Sequence, residues 1–130
     1  MKLQLSHNDA DRAVISGGDD VAPEELARLD EADRLRVSRG LRERARYRYV
    51  HPTVRVVSLG VRIQSPCCSR NVDPSGGTVN IALVQRLRTG QWRLHRMDHA
   101  AAAWQLHGVY DQLDDLLRQL NNDPDRLFWQ

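Results

Sequence analysis

The residues Val79-Asn-Ile-Ala-Leu83 open the part of the chain that decides the fold, because apolar side chains recur there at every second position. The same period returns in Trp92-Arg-Leu94 and in Trp104-Gln-Leu106. Successive side chains of a β-strand point to opposite faces, so each run predicts a strand with one apolar face. Linkers at Arg88-Thr-Gly90 and at 98–102 are short enough for antiparallel hairpins. These residues therefore predict three consecutive antiparallel strands.

Two earlier runs extend the predicted sheet toward the N-terminus. The first, Arg44-Ala-Arg-Tyr-Arg-Tyr-Val50, alternates arginine with alanine or tyrosine. The second, at 53–65, changes its alternating frame at Val56-Val57, which we interpret as a β-bulge. Pro52 separates the two runs because proline cannot donate a hydrogen bond to a strand ladder. The predicted sheet then has about five strands.

Two helices complete the predicted fold. Pro23, followed by two glutamates, favours a helix start, and this helix is expected to end at about Arg39. Asp111 can cap a second helix over 112–121, whose leucines form one apolar stripe: Leu113, Leu116, Leu117 and Leu120. We therefore predict an α+β fold, an antiparallel meander sheet of about five strands with an N-terminal and a C-terminal helix packed on one face.

The domain organisation follows from length and composition. A chain of 130 residues fits one domain, which we assign to 23–130, with 1–22 as an acidic lead-in that need not be ordered. Asp9 comes before any apolar run could form a secretory signal, and no stretch is apolar enough to predict a membrane span. With only two cysteines, adjacent in sequence, no disulfide framework is predicted, and a cytoplasmic location is the default expectation.

Charge is strongly segregated along the chain. Residues 34–96 carry fourteen arginines against Glu43 and Asp73, a formal charge of +12. The segments 1–33 and 97–130 carry formal charges of −6 and −4, so the net charge of +2 conceals the segregation. A codon preference for arginine would explain the number of arginines but not their clustering. Such a distribution indicates association with a partner and says little about the fold.

The C-terminal half resembles a known family. The residues that carry the resemblance are Trp92-Arg-Leu-His, Arg96-Met-Asp98, Trp104, and a Leu-rich helix that ends in Asp123-Pro-Asp-Arg-Leu-Phe-Trp129. Over about 44–130 the chain resembles the bacterial family catalogued as domain of unknown function 3024. It departs from that family at 66–77, where it carries adjacent cysteines and a Gly-Gly pair. The resemblance implies a small mixed α and β domain and supplies no activity or catalytic residues.

The predicted sheet has a polar face that could bind an acidic partner. If the apolar side chains face the helices, the opposite face presents six arginines: Arg44, Arg46, Arg48, Arg62, Arg86 and Arg93. Guanidinium groups match phosphate geometry and release counterions on binding, so nucleic acid is a testable partner. Because the aromatic residues fall in the core frame, base recognition would be weak in sequence specificity. The leading hypothesis is a non-enzymatic binding module. The plainer interpretation is a solvated face, or one neutralised by the acidic N-terminal segment or a second subunit.

Two alternatives stay open. A protein-interaction or homo-oligomerising adaptor would associate through apolar surface. A metal- or redox-linked protein would use Cys67 and Cys68, with a nearby arginine favouring the thiolate. Adjacent thiols are poorly spaced to chelate one zinc ion, and the plain interpretation is one buried and one idle cysteine. We predict no catalytic residues, no metal site and no cofactor.

Overall fold

The computed structural model describes residues 14–16, 18, 20–58, 60–66 and 77–130. Within these residues the chain forms seven strands and two α-helices: β1 Val14–Ile15, β2 Leu26–Ala27, α1 Glu31–Gly40, β3 Thr53–Val57, β4 Gly60–Pro66, β5 Thr78–Leu87, β6 Trp92–Asp98, β7 Ala103–Tyr110 and α2 Leu113–Asn122. No helix in the described residues is long and apolar enough to cross a membrane.

The sheet is mixed, and the predicted five-stranded antiparallel meander is wrong. Its strands lie in the order β1-β7-β6-β5-β4-β3, and β2 pairs with β5 off this path. The first strand runs parallel to β7, with Val14 opposite Ala103, whereas the other pairs are antiparallel. The sheet curls into a half-barrel. The alternation at 78–110 predicted β5 to β7 because these strands follow one another through short turns. The parallel pair joins residues about ninety positions apart, which no local pattern indicates.

The segment at 44–50 forms bends and turns instead of the predicted strand. The change of frame at Val56-Val57 marks a hairpin instead of the predicted bulge, since Val57 pairs with Gly60. Gly60 adopts φ +149°, and a Cβ at this position would lie 2.1 Å from the Val84 carbonyl oxygen. Glycine is therefore required where β4 enters the sheet.

Helix α1 begins later than predicted. Pro23–Glu25 form one 3₁₀ turn, and Leu26–Ala27 form β2. Asp30 caps α1 in a capping box, because its carboxylate accepts a hydrogen bond from Asp33 N while the Asp33 carboxylate accepts one from Asp30 N. A capping box satisfies two backbone donors that the first helical turn leaves without partners. Asp30 and Asp33, which lie inside the helix predicted from Pro23, therefore mark the start of α1.

Apolar side chains fill both faces of the sheet. Both helices pack on one face, and this main core joins Val37 and Leu116 of the helices to strand residues such as Val84 and Leu94. A smaller cluster covers the other face: Ile15, Leu83, Met97 and Trp104. Burial of aliphatic side chains contributes roughly 25 cal/mol per Å² of apolar surface. The helix-free face is therefore a second core and not the solvated face of a simple meander.

The C-terminal tail is fixed by Asp123. Its carboxylate accepts hydrogen bonds from the backbone N–H groups of Leu127, Phe128 and Trp129, and Asp123 itself is buried. These bonds turn the chain after α2 so that Phe128 and Trp129 enter the main core. The indole N–H of Trp129 donates to the Leu120 carbonyl oxygen at 3.0 Å. The Asp-Pro ending of the sequence thus closes the core beneath α2.

Candidate anion interface

Arg44 organises the loop at 44–50, which the sequence predicted to be a strand. Its guanidinium donates to the carbonyl oxygens of Leu41 at 2.9 Å, Tyr47 at 2.9 Å and Val50, and it lies 5.5 Å from the ring centroid of Trp129. Three carbonyl acceptors draw the chain into a tight loop, in which Tyr47 adopts a left-handed φ of 54°. Arg44 is 7% exposed, so its donors are committed to the fold.

Arg46 is also structural. It donates to the carbonyl oxygens of Asn122 and Asp123, where the last carbonyls of α2 carry the negative end of the helix dipole. Arg48 has a different position, because its side chain is exposed. Burial, and secondarily the positive charge of Arg48, lower the pKa of Arg44 below its ordinary value. The two guanidinium groups are therefore electrostatic neighbours.

Arg62 and Arg93 lie on the helix-free face of the sheet, where both are buried, at 5% and 4% exposure. The strand register aligns Arg62 with Leu83 of the smaller core and Gln85 with Arg93. Arg93 Nη1 lies 3.4 Å from Gln85 Oε1. A buried guanidinium cannot reach an acidic surface outside the protein, so neither arginine lines an open face.

Arg86 lies on the opposite face, the one that the helices cover. It pairs with Trp92 across β5 and β6, and its guanidinium carbon lies 5.3 Å from the indole centroid. Arg36 of α1 lies over the same indole at 5.8 Å. The six arginines predicted to share one face are therefore divided among a loop, a helix end and both faces of the sheet, and the predicted basic sheet face is wrong.

The structure brings a different set of arginines together. Arg36, Arg39 and Arg42 follow α1 and its 3₁₀ extension at spacings of three, so they are neighbours on its outer side. Arg86 lies at one end of this row beside Arg36, and Arg48 lies at the other end beside Arg42. We call these five residues the arginine strip. Four of them are exposed and Arg86 is half-buried.

Within the described part of the chain, no guanidinium of the arginine strip forms an ion pair or a hydrogen bond. Other arginines do find carboxylates: Arg34 pairs with Glu31 at 2.6 Å and Arg118 with Asp115 at 2.9 Å. The strip thus carries about five positive charges that the described carboxylates leave uncompensated. Such a surface attracts anions and is screened by salt.

A pocket of about 370 Å³ lies at the Arg48 end of the strip. Its lining combines polar and cationic residues with apolar ones: Ser38, Arg42, Arg44, Arg48 and His51 with Leu41, Val50, Pro52 and Val54. None of the lining residues is acidic. Tyr49 lies between two lining residues in sequence and is 75% exposed, although its alternating frame predicted a core position.

The sequence missed three members of the strip. Arg36, Arg39 and Arg42 belong to the basic stretch, and the spacing of three that aligns them is a helical signal present in the sequence. The alternating arginines at 44–48 instead predict a strand. Of the six predicted residues, only Arg48 and Arg86 belong to the strip.

The described residues supply no arrangement of side chains that would support the metal or redox hypothesis. The prediction for Cys67 and Cys68 lies outside the described residues. Among the residues that are described, no group of three His, Cys, Asp or Glu side chains could hold a metal ion.

The match to a known family covers most of the chain. The family model described as "Domain of unknown function (DUF3024)" matches residues 24–130. The chain belongs to this family. The resemblance read from the sequence is thereby confirmed, and the DUF3024 match includes all five residues of the arginine strip. Neither a curated protein nor a solved structure matches the chain.

Proposed function

We propose that this protein is a non-enzymatic binding module that engages an acidic partner through the arginine strip, with nucleic acid as the partner. The observation that carries the proposal is the row of guanidinium groups along α1 without ion-pair partners in the described residues. The binding element is therefore an exposed surface along α1 and not the sheet face that the sequence predicted. A bacterial cytoplasmic protein would meet such a partner directly.

The arrangement suits a phosphate backbone. Guanidinium groups donate in forks that match phosphate oxygens, and successive positions along a helix can follow a polyanion. Each neutralised phosphate releases condensed counterions, so the logarithm of the binding constant falls with the logarithm of salt concentration by roughly 0.7 to 0.9 per contact. Three to five contacts would give a slope between about −2 and −4.5. Because backbone contacts carry no base information, the binding is weakly sequence-specific.

The adaptor hypothesis finds less support. Among the residues that the structure describes, the exposed large apolar ones are Val14 on β1, Tyr49 in the loop, Val56 on β3 and Val109 on β7. The strands β1 and β3 are the two ends of the sheet order. Single exposed apolar side chains are ordinary on protein surfaces, whereas interaction sites present contiguous patches.

The experiment is a fluorescence-anisotropy titration of labelled single-stranded DNA at two salt concentrations. The strip variant is Arg39→Ala/Arg42→Ala, and the matched control is Arg55→Ala/Arg88→Ala, which removes the same charge from exposed positions outside the strip. The proposal predicts micromolar binding, a steep salt dependence, and a loss of about tenfold or more in the strip variant alone. Equal losses in the two variants would reduce the effect to net charge, and absence of binding at low salt would overturn the proposal.

A further inference from the structure

The pocket at the Arg48 end of the strip differs from the rest of the strip in being concave. Along α1 the guanidinium groups project from a convex helix, which suits the passing phosphates of a chain. In the pocket, Arg42 and Arg48 line a volume of about 370 Å³ together with Ser38 and His51. A concave site with several donors can surround a phosphate group that enters it, whereas a convex surface contacts phosphate groups from one side only.

We infer that this pocket receives the phosphate monoester at the end of a single-stranded nucleic acid, an assignment that rests on the proposed function. A terminal phosphate carries about −1.5 to −2 charges and three acceptor oxygens near neutral pH, against one charge for an internal diester. The guanidinium groups of Arg42 and Arg48 have no ion-pair partner in the described residues. The extra charge and the extra oxygen therefore find donors in the pocket that an internal diester leaves unused.

Arg44 contributes charge to this site without contributing contacts. Its donors are committed to backbone carbonyls of the loop, yet it lines the pocket. A buried cation fixed behind a pocket favours an anion in front of it, and it requires no reorganisation when the anion arrives. Apolar residues such as Leu41 and Val54 also line the pocket, and charges attract more strongly beside apolar groups than in bulk water.

Tyr49 supplies the feature that selects a nucleic acid among phosphate monoesters. It lies between Arg48 and Val50, both of which line the pocket, and 75% of its surface is exposed. Tyr47 contacts it edge to face, with ring centroids 6.3 Å apart. An exposed aromatic that is adjacent in sequence to residues of a phosphate site can stack on the terminal base, as in proteins that bind single strands.

The test compares one short oligonucleotide with a 5′-phosphate, a 3′-phosphate or hydroxyls at both ends. The full-length protein is titrated into each labelled strand at a single ionic strength. The inference predicts that one of the terminal phosphates increases affinity about tenfold over the hydroxyl strand. The increase should disappear in Arg48→Ala and persist in the control Arg88→Ala, which removes an exposed arginine outside the pocket.

Two further arms separate the possible failures. Tyr49→Ala should lose about fivefold to tenfold in affinity while Tyr49→Phe keeps the ring and the binding. If all three strands bind equally, the inference fails and the proposed function survives; if none binds, both fail. A phosphoserine peptide of matched length that binds more tightly than the phosphorylated strand would overturn the nucleic-acid assignment.

Discussion

The attachment of the C-terminal tail depends on one buried carboxylate, and Asp123→Asn tests it. In the structure, Oδ1 accepts from Leu127 N at 2.8 Å, and Oδ2 accepts from Trp129 N at 2.8 Å and from Phe128 N at 3.2 Å. Asparagine tolerates the left-handed backbone of position 123, where φ is 38°. The substitution therefore perturbs the hydrogen bonds and leaves the turn geometry available.

The magnitude follows from the atoms that change. The amide keeps one acceptor oxygen, and its NH₂ group faces a backbone donor. A hydrogen bond to a charged group contributes about 1.5–3 kcal/mol, and a buried N–H without an acceptor costs about 1–3 kcal/mol. These overlapping contributions predict that the free energy of unfolding falls by about 2–4 kcal/mol. This is a large share of the roughly 5–15 kcal/mol that stabilises a typical domain.

Urea unfolding followed by tryptophan fluorescence measures this change, because Trp129 is 1% exposed and reports on the tail. With a denaturant dependence of about 2 kcal/mol per molar, the midpoint should fall by about 1–2 M. Asp125→Asn is the control, since it removes an exposed carboxylate from the same turn. A midpoint for Asp123→Asn within about 0.2 M of the unmodified protein, or an equal fall in the control, would show that these hydrogen bonds do not hold the tail.

Three further substitutions test other parts of the fold. Gly60→Ala should lower the free energy of unfolding by about 1–3 kcal/mol, measured in urea, because its Cβ would strike the Val84 carbonyl oxygen. Burial lowers the pKa of His107 in the folded protein, so the unfolded chain binds more protons than the folded chain. The free energy of unfolding therefore decreases as the pH is lowered below about 6.5. His107→Gln should therefore make the urea midpoint fall less when the pH is lowered from about 7.5 to about 5. Asp30→Ala should lower the midpoint of thermal or urea unfolding, because it removes the cap of α1.

Each of these substitutions has a control. Gly90→Ala also has a positive φ, of +98°, but no heavy atom lies within 4 Å of its added Cβ, so it should lose less than Gly60→Ala. The pKa of His99 is also lowered by burial, so the pH dependence should be reduced by the His107 substitution and not abolished. Asp30→Asn keeps an acceptor and should stay near the unmodified stability. Equal losses at the two glycines, an unchanged pH slope, or an Asn cap as weak as Ala would contradict the respective argument.

The sequence indicated those parts of the fold whose signals are local. The alternation at 78–110 predicted three strands because a two-residue period and short turns are sufficient to specify hairpins. The leucine stripe of 113–120 predicted α2 because its spacing of three and four residues is a local helical signal. The pairing of Val14 with Ala103 is non-local, and the alternation at 44–50 imitates a strand. There the guanidinium of Arg44 donates to three carbonyl oxygens of its own loop, so the segment forms a loop instead of a strand paired in the sheet.

The sequence predicted that the candidate site would be rich in arginine, but it did not predict which arginines form it. The basic stretch at 34–96 includes every residue of the arginine strip, so the expectation of an acidic partner has a surface that suits it. Arg62 and Arg93 had the same alternating frame as an exposed face would have, yet the smaller core around Leu83 buries them. Whether the second face of a sheet is solvated depends on what packs against it, and period alone does not contain that information.

In the proposed function the exposed arginines of the strip contact a nucleic acid, and the buried arginines of the sheet, Arg62 and Arg93, do not. Resolving the guanidinium Nε–H signals by NMR during titration with single-stranded DNA tests it most directly. We expect shifts at Arg39, Arg42 and Arg48 that saturate together, with little change at the buried Arg62 and Arg93. Shifts confined to Arg62 and Arg93 would contradict it, and so would no shift at any strip residue.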